Sequence, residues 1–231
     1  LSELRSRLIW PILAFLLCMV CVFPFSKYIF NFLATPITEL LSTQNESSDL
    51  IFTGLQQGFM VNVKISFFGG FIVSFPFIGF QIWRFIAPGL YKNEKLAFLP
   101  FLIASPVLFI IGAAFAYFTV LPLAFNFFLS FQNTSDLNDL VGIKYLGTIN
   151  EYLSLTMRFI LAFGICFQLP VLLTLMGKAG LVSSQSLMRV RKYAIVAILV
   201  IAAIVTPPDV ITQIILFSVV YSLYEISIFL V

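Results

Sequence analysis

The chain has 231 residues, of which 61% are apolar and 10% are charged, and its formal net charge is +3. Soluble domains hold roughly 45–50% apolar and about 25% charged residues, so this composition excludes a soluble protein and indicates an integral membrane protein. The sequence lacks the ten-residue alternation of a membrane β-barrel, which leaves spanning helices. We predict a single membrane domain of the all-α class. The small positive charge is typical of basic loops on one membrane face, so no nucleic-acid partner is expected.

Residue types that the sequence lacks exclude several kinds of catalytic site. There is no histidine, which excludes histidine acid–base catalysis, the His-Glu-x-x-His zinc site and His-ligated haem. The Gly-x-Ser-x-Gly and Walker A patterns are also missing. Cys18, Cys21 and Cys166 all lie in apolar runs, and no second cysteine pair completes a metal site. We therefore expect no enzyme activity, no cofactor and no metal.

The first 58 residues predict one span and one surface segment. Residues 1–7 form a short charged segment that predicts an interfacial lead-in helix, and residues 8–25 carry no charge and are long enough to cross a membrane. In the outer loop 26–58, apolar side chains recur at helical spacings around Pro36. We expect this segment to lie along the membrane surface, with Pro36 in a structural role.

The second span is predicted at 59–83, where Pro76 is expected to kink the helix. The next charge-free stretch, 96–131, would form about 54 Å of helix, far more than the roughly 30 Å of a hydrocarbon core. We therefore predict that the third span is 96–121 and that the helix breaks at Pro122. The outer loop 122–151 then begins by folding over the surface.

The last third of the chain predicts three more spans. Thr148 and Glu151 match a capping box, in which a hydroxyl and a carboxylate satisfy the first N–H groups of the fourth span, 152–176. The fifth and sixth spans, 193–206 and 210–231, are joined by the outer turn 207–209. Their charge-free parts are short, so they predict a tight hairpin of short helices.

Basic residues predict the orientation of the six spans. Nine of the 13 lysines and arginines fall at one set of helix ends. Cytoplasmic loops carry an excess of lysine and arginine, which makes 84–95 and 177–192 the cytoplasmic loops and places both termini in the cytoplasm.

The cytoplasmic loop at 84–95 contains the most promising functional segment. Residues 87–90 read Ala-Pro-Gly-Leu, the arrangement of a type II turn. A rigid turn there presents the aromatic faces of Phe85 and Tyr91 and the carboxylate of Glu94 to a partner at the membrane surface. The alternative is an ordinary hairpin whose Glu94 only neutralises Lys95 or Arg84.

Polar residues inside the spans are the other candidates, because a polar group at membrane depth usually faces a partner or a wet cavity. Lys64 and Arg158 lie near helix ends, where snorkelling explains them. Gln168 in the fourth span and Glu225 in the sixth are interpreted as functional.

Five motifs, in this order along the chain, carry a family resemblance: Ser2-Glu-Leu-Arg-Ser-Arg-Leu8, Phe85-Ile-Ala-Pro-Gly-Leu-Tyr-Lys-Asn-Glu94, Phe163-Gly-Ile-Cys-Phe-Gln-Leu-Pro170, Thr206-Pro-Pro-Asp-Val210 and Tyr224-Glu-Ile226. They resemble the TatC family, the multispanning subunit of the twin-arginine protein translocase. The resemblance covers essentially the whole chain. It departs from the family at the amino-terminal motif, which usually begins with His-Leu and is cut at Leu1, and at Gln168, where the family commonly has an acid.

The resemblance implies a receptor in the bacterial cytoplasmic membrane or an organelle equivalent. Such a receptor binds paired-arginine signal peptides of folded cargo on its cytoplasmic face, self-associates, and works with the single-span proteins TatA and TatB, driven by the proton-motive force. The residues assigned to signal-peptide binding share that face: Glu3, Arg5, Phe85, Tyr91 and Glu94. Two guanidinium groups call for two carboxylates, and only Glu3 and Glu94 occur among the nine bases there.

Two further hypotheses concern the hairpin of the fifth and sixth spans. Ala203, Asp209 and Gln213 are predicted to form a docking strip for a single-span partner, although Gln213 bonding only within its own hairpin is as good an interpretation. A fifth helix of 14 residues rises only about 21 Å, so the hairpin is expected to thin the bilayer in front of a concave wall lined by Gln168.

Two other functions remain open from the residues alone. A secondary transporter of a small solute would use Pro76, Pro106 and Pro170 to break helices around a midplane site. A scaffold with no ligand of its own is the other alternative.

Overall fold

The computed structural model describes residues 2–43, 50–86, 99–131, 147–206 and 209–231, and most of the chain within these ranges is helical. The described elements are α1 (Ser2–Val22), α2 (Ser26–Thr43), α3 (Gln57–Ile86), α4 (Leu99–Phe115), α5 (Leu121–Leu129), α6 (Ile149–Cys166), α7 (Leu169–Lys178), α8 (Ser184–Val205) and α9 (Val210–Leu230). The only β pairing in these ranges is an isolated parallel bridge between Ile51 and Thr148. The all-α class is confirmed.

Five helical stretches of the described chain are long and apolar enough to cross a membrane: Ile9–Ser42, Gln57–Gln81, Pro100–Leu129, Ile149–Lys178 and Val210–Leu230. The remaining predicted span, the fifth at 193–206, corresponds to α8. This helix carries three bases within four residues, Arg189, Arg191 and Lys192. The chain is a multi-pass membrane protein.

The amino-terminal segment is part of the first long helix. Residues 2–7 continue directly into the predicted span, because α1 begins at Ser2. After Val22 a short 3₁₀ turn that contains Pro24 leads into α2. Helix α1 packs closely on α3, where a Cβ atom on Gly70 would lie only 2.8 Å from the Cα atom of Met19.

Helix α2 is amphipathic, as predicted, and its apolar face packs on protein. Leu33, Ile37 and Leu41 follow one another at four-residue spacing, and all three are buried. They contribute to the core formed with α3, α5 and α6. The hydroxyl of Tyr152 on α6 donates to the carbonyl of Leu33, so this helix is also tied to α6 by a hydrogen bond.

The predicted break at Pro122 is wrong, because helical structure continues from α4 into α5. A π-helical turn at Ala116–Val120 lies between the two, and the N–H of Leu121 donates to the carbonyl of Ala116, five residues back. Pro122 has no N–H, so the carbonyl of Phe118 lacks its usual α-helical partner. The irregularity falls in the turn before the proline, and the helix resumes with Pro122 in its first turn.

The fourth predicted span is two helices, α6 and α7, with a turn between them. Thr148 is the N-cap of α6, as predicted, but its side chain makes no capping bond and its hydroxyl is buried without a hydrogen-bond partner. The N–H of Ile149 donates instead to the carbonyl of Ile51 at 3.2 Å. The capping-box prediction is therefore right about where the helix begins and wrong about what satisfies it.

Helices α4 and α6 approach each other at two glycines. A Cβ atom on Gly112 would lie 2.7 Å from the carbonyl oxygen of Phe163, and one on Gly164 would lie 2.7 Å from the ring of Phe109. Real Cβ atoms do not approach neighbours so closely, so both positions require a residue without a side chain.

The second basic loop is much shorter than predicted. Helix α8 begins at Ser184, where the hydroxyl of Ser183 accepts a hydrogen bond from the N–H of Ser186 at 3.3 Å. The helix has 22 residues and rises about 33 Å. The mismatch argument for the fifth span assumed a helix of 14 residues, so the structure removes that basis for bilayer thinning.

Candidate functional site

The described residues of the predicted site lie in three places. Ala203, Asp209, Gln213 and Glu225 belong to the hairpin of α8 and α9. Gln168 lies at the turn between α6 and α7. Pro36 lies in α2.

Asp209 is the N-cap of α9. Its carboxylate accepts from the N–H of Thr212 at 2.8 Å and from the hydroxyl of Thr212 at 2.6 Å. Thr212 is fully buried, so its hydroxyl needs this partner. The cap satisfies a terminal N–H group and fixes the start of the helix immediately after the turn.

Gln213 lies one turn beyond the cap and reaches across to α8. Its Nε2 atom donates to the carbonyl of Leu199 at 3.5 Å, which is long for a hydrogen bond and therefore weak. Ala203 lies one helical turn after Leu199 and is exposed. The structure therefore brings Ala203 and Gln213 to the same end of the hairpin.

The other end of the hairpin holds a group of polar contacts that we call the clasp. Arg191 on α8 forms an ion pair with Glu225 on α9, with 2.7 Å between guanidinium nitrogen and carboxylate oxygen. The second oxygen of Glu225 accepts from the hydroxyl of Tyr221 at 2.7 Å. The hydroxyl of Tyr224 donates to the carbonyl of Leu187 at 2.8 Å, and it too joins the two helices.

The clasp assigns a partner to Glu225 that the sequence analysis did not find. The side chains of Arg191 and Glu225 are 43% and 26% exposed, so the pair is only partly shielded from its surroundings. The sequence analysis missed this pair because it did not predict where α8 begins. A helix that begins at Ser184 places Arg191 well inside it, whereas a loop through 192 gives Arg191 no fixed position.

Gln168 makes a paired contact with α4. Its Oε1 atom accepts from the hydroxyl of Ser105 at 2.7 Å, and its Nε2 atom donates to the carbonyl of the same residue at 2.9 Å. Ser105 is 3% exposed, so this is a contact between packed helices. The expectation that Gln168 lines an open wall is therefore corrected: its amide is engaged between α4 and the α6–α7 turn.

Pro36 is buried in α2 and acts through the carbonyl that it leaves without a donor. A proline at this position removes the N–H that would bond to the carbonyl of Phe32, four residues back. The hydroxyl of Tyr117, in the π-helical turn, donates to that carbonyl at 2.6 Å. Sequence reasoning missed Tyr117, since the proline predicts an unpaired carbonyl but not the distant residue that satisfies it.

The predicted signal-peptide residues lie largely outside the described part. Glu3 and Arg5 belong to the first turns of α1, and Phe85 belongs to the last turn of α3, but their side chains are not described. Tyr91 and Glu94 lie outside the described residues. Within the described residues no group of three histidine, cysteine or acidic side chains is placed to hold a metal ion.

Comparison with known proteins assigns the chain to a family. A family model described as "Sec-independent protein translocase protein (TatC)" matches residues 1–218. The chain belongs to the TatC family. It is therefore a protein translocase subunit, and the resemblance drawn from its five motifs is confirmed.

Curated TatC proteins are similar to this chain over nearly its full length. The Magnetococcus marinus protein is 46% identical over 99% of this chain and 81% of its own. The Aquifex aeolicus protein is 43% identical over 100% of this chain and 92% of its own. The Escherichia coli K12 protein is 37% identical over 99% of this chain and 85% of its own.

Two solved structures share the fold. A crystal structure of the twin-arginine translocase receptor TatC is 43% identical in sequence, with a TM-score of 0.84, and covers 99% of this chain and 96% of its own. A crystal structure of the same receptor in DDM has a TM-score of 0.86 and the same sequence identity. The fold of this TatC family member thus matches that of solved relatives.

Proposed function

We propose that this TatC family member is the signal-peptide receptor of a twin-arginine translocase. The observation that carries the proposal is the full-length match to the TatC family, together with its likeness to a solved TatC described as a receptor. In this role the protein binds its peptide ligand without covalent chemistry. It works with TatA and TatB, self-associates in a receptor complex, and exports folded cargo using the proton-motive force.

Charge and geometry suggest which groups bind the peptide. A guanidinium group presents a planar pair of N–H donors that a carboxylate accepts in a two-pronged hydrogen bond. Paired arginines therefore need two carboxylates on the same face. Glu3 and Glu94 fit that requirement in the sequence, with Arg5, Phe85 and Tyr91 beside them.

Crosslinking of a twin-arginine peptide to the purified protein tests this assignment. Because a hydrogen bond to a charged group contributes roughly 1.5–3 kcal/mol, Glu94→Gln and Glu3→Ala should each weaken peptide binding about ten- to a hundredfold. A twin-lysine peptide should bind poorly to the wild type. Glu151→Gln, which removes an exposed carboxylate in the first turn of α6, is the matched control and should bind normally. Wild-type affinity in both test variants would refute the assignment.

We further propose that the Gln213 end of the hairpin docks a single-span partner helix. The bond from Gln213 to Leu199 is weak at 3.5 Å, so it can be exchanged at small cost for a bond to a partner. An amide in lipid gains about 0.6–2 kcal/mol from a hydrogen bond between helices. The exposed Ala203 allows a partner to approach closely, because it has a small side chain.

Photocrosslinking from position 213 distinguishes docking from a bond confined to the hairpin. Adducts with TatA or TatB are expected from position 213. Position 222, nine residues further along α9, lies on the opposite face of the helix and is exposed, so it is the control. Equal adduct yields from the two positions, or none from 213, would contradict docking.

A further inference from the structure

Lys64 and Arg158 are two bases inside membrane spans, and they take no part in the peptide or partner sites proposed above. Lys64 lies in the stretch Gln57–Gln81, and Arg158 lies in the stretch Ile149–Lys178. Both residues are exposed, so they lie against lipid. Within the part of the chain that the structure describes, neither base forms an ion pair. A charge in this position is costly unless an anion or water compensates it.

Lys64 is fixed against α6 by two hydrogen bonds. Its Nζ atom donates to Oδ1 of Asn150 at 2.6 Å and to the hydroxyl oxygen of Ser154 at 3.4 Å. Asn150 is the second residue of α6, so this contact brings the ammonium group to the end of that helix. The same end begins a stretch that is long enough to cross the membrane, which places the ammonium group near the level of the lipid headgroups.

Arg158 lies on the same face of α6 as these two partners of Lys64. Asn150, Ser154 and Arg158 follow one another at four-residue spacing, and residues four apart are neighbours on a helix surface. The rise from Ser154 to Arg158 is about 6 Å. Side chains on a helix tilt toward its amino terminus, so the guanidinium group extends toward Ser154. Two positive charges therefore share one exposed surface where α3 meets α6.

The polar groups beside the two bases have hydrogen-bond donors to spare. Because the side-chain oxygens of Asn150 and Ser154 accept from Lys64, the amide N–H groups of Asn150 and the hydroxyl hydrogen of Ser154 remain to be donated. Neither has an acceptor among the residues that the structure describes. Glu151, the nearest acid along α6, lines a separate cavity formed with α2 and α5. We call these four residues the basic site: Lys64, Asn150, Ser154 and Arg158.

We propose that the basic site binds the phosphate group of one anionic phospholipid, such as phosphatidylglycerol. Phosphate oxygens accept charge-assisted hydrogen bonds from ammonium and guanidinium groups, and the amide and hydroxyl donors add to these. The net negative charge of the lipid also offsets the repulsion between the two bases. Lipid is the expected source of the anion, because the site is exposed on spanning helices near the headgroups. Basic pockets between spanning helices are typical sites for anionic headgroups.

Native mass spectrometry of the intact protein tests the proposal. The protein is equilibrated in mild detergent with equal amounts of phosphatidylglycerol and phosphatidylcholine that have the same acyl chains. We expect phosphatidylglycerol to be retained preferentially, by about fivefold for each base. Lys64→Gln and Arg158→Gln should each reduce the preference about fivefold. Arg189→Gln, which neutralises an exposed base of α8, is the matched control and should leave the preference unchanged. No preference in the wild type, or an unchanged preference in both test variants, would overturn the proposal.

Two further arms separate charge from packing and lipid from soluble phosphate. Lys64→Arg and Arg158→Lys keep the charge, so each should retain most of the preference. A loss as large as in the glutamine variants would contradict recognition by charge. Glycerol phosphate, at the concentration of the lipid, should not displace phosphatidylglycerol, because it has no acyl chains. Equal competition by the soluble compound would identify the site as one for a free anion.

Photoreactive lipid locates the site in the wild-type protein, whatever the stability of the variants. A phosphatidylglycerol with a diazirine in its acyl chain, close to the headgroup, should label Met60, which is exposed and lies one helical turn before Lys64. The exposed Val196 of α8 is the control and should be labelled less. Equal labelling of the two positions, or occupation of the Met60 surface by a copurifying protein, would refute a lipid site at this junction.

Discussion

The hydroxyl of Tyr117 donates to the carbonyl of Phe32 at 2.6 Å, at the position where Pro36 has removed the intrahelical donor. The proline therefore does not leave an unpaired carbonyl in α2, because a side chain from another helix supplies the missing bond. One hydrogen bond joins α2 to the π-helical turn. This bond therefore connects the two irregular positions in these helices, the proline in α2 and the π-helical turn.

Tyr117→Phe should lower the free energy of unfolding by about 1–2 kcal/mol, since it leaves the Phe32 carbonyl without a donor. In a Pro36→Ala background the same change should cost less, because the substituted alanine supplies a backbone N–H to that carbonyl. The measurement is unfolding by sodium dodecyl sulfate in mixed micelles. Tyr193→Phe, at an exposed tyrosine of α8, is the control. Equal costs of Tyr117→Phe in the two backgrounds would contradict the link to Pro36.

The ion pair of Arg191 and Glu225 should be visible as a coupling energy. Its partial exposure places it between surface pairs, worth about 0–1 kcal/mol, and buried pairs, whose disruption costs about 3–5 kcal/mol. We expect Arg191→Gln and Glu225→Gln each to destabilise the protein by roughly 1–2 kcal/mol. The double variant should cost clearly less than the sum. Lys192→Gln changes the neighbouring base, and its effect should be additive with Glu225→Gln. If the effects of Arg191→Gln and Glu225→Gln on stability are also additive, the ion pair does not stabilise the protein.

Gly112→Ala should destabilise the contact of α4 with α6 by about 1–3 kcal/mol, because its new methyl group would overlap the Phe163 carbonyl and the Phe167 ring. Gly79→Ala provides the comparison. There the nearest neighbour of a new Cβ atom is the Ser105 hydroxyl at 3.7 Å, which is ordinary contact. That variant should be neutral or more stable by about 0.5–1 kcal/mol, through better helix propensity. Thermal unfolding in detergent compares the two, and equal shifts would argue against close packing at Gly112.

Gln168→Glu restores the acid common in the family and should be less stable than the wild type at neutral pH. The amide donor to the Ser105 carbonyl is lost, and a carboxylate oxygen faces that carbonyl instead. The expected cost is about 1–3 kcal/mol. Ser105→Ala removes the hydroxyl but leaves the carbonyl, so it should cost less. Export of a twin-arginine cargo is measured on the same variants, so that an effect on function can be distinguished from an effect on stability. A Gln168→Glu protein as stable as the wild type would show that the contact tolerates a carboxylate.

The structural class and the family could be predicted from local sequence patterns, whereas the contacts between helices could not. The charge-free runs predicted spanning helices, and motifs such as Thr206 to Val210 predicted the family. Tyr117 and Phe32 are 85 residues apart, and Arg191 and Glu225 are 34 apart. No local pattern specifies which distant donor satisfies a free carbonyl or which base pairs with an acid, because these depend on how helices pack.

Two errors in the prediction of local structure also had physical causes. A run of bases was interpreted as a loop, but lysine and arginine are good helix formers, and the cap at Ser183 begins α8 before them. Pro122 was interpreted as a break, but a π-helical turn accommodates the missing N–H without ending the helix. In both cases a backbone N–H group makes a hydrogen bond that the amino-acid composition alone did not indicate.

The ion pair between α8 and α9 also bears on how the protein is made. Helix α8 carries three bases in its amino-terminal half, and an arginine or lysine in an inserting segment is unfavourable, by roughly 2.5–3.5 kcal/mol at the helix centre and by less towards an end. Glu225 offsets part of that cost only once α9 has been synthesised. We therefore expect a nascent chain that stops before α9 to integrate α8 poorly, and a chain that includes α9 to insert the two helices together as a hairpin.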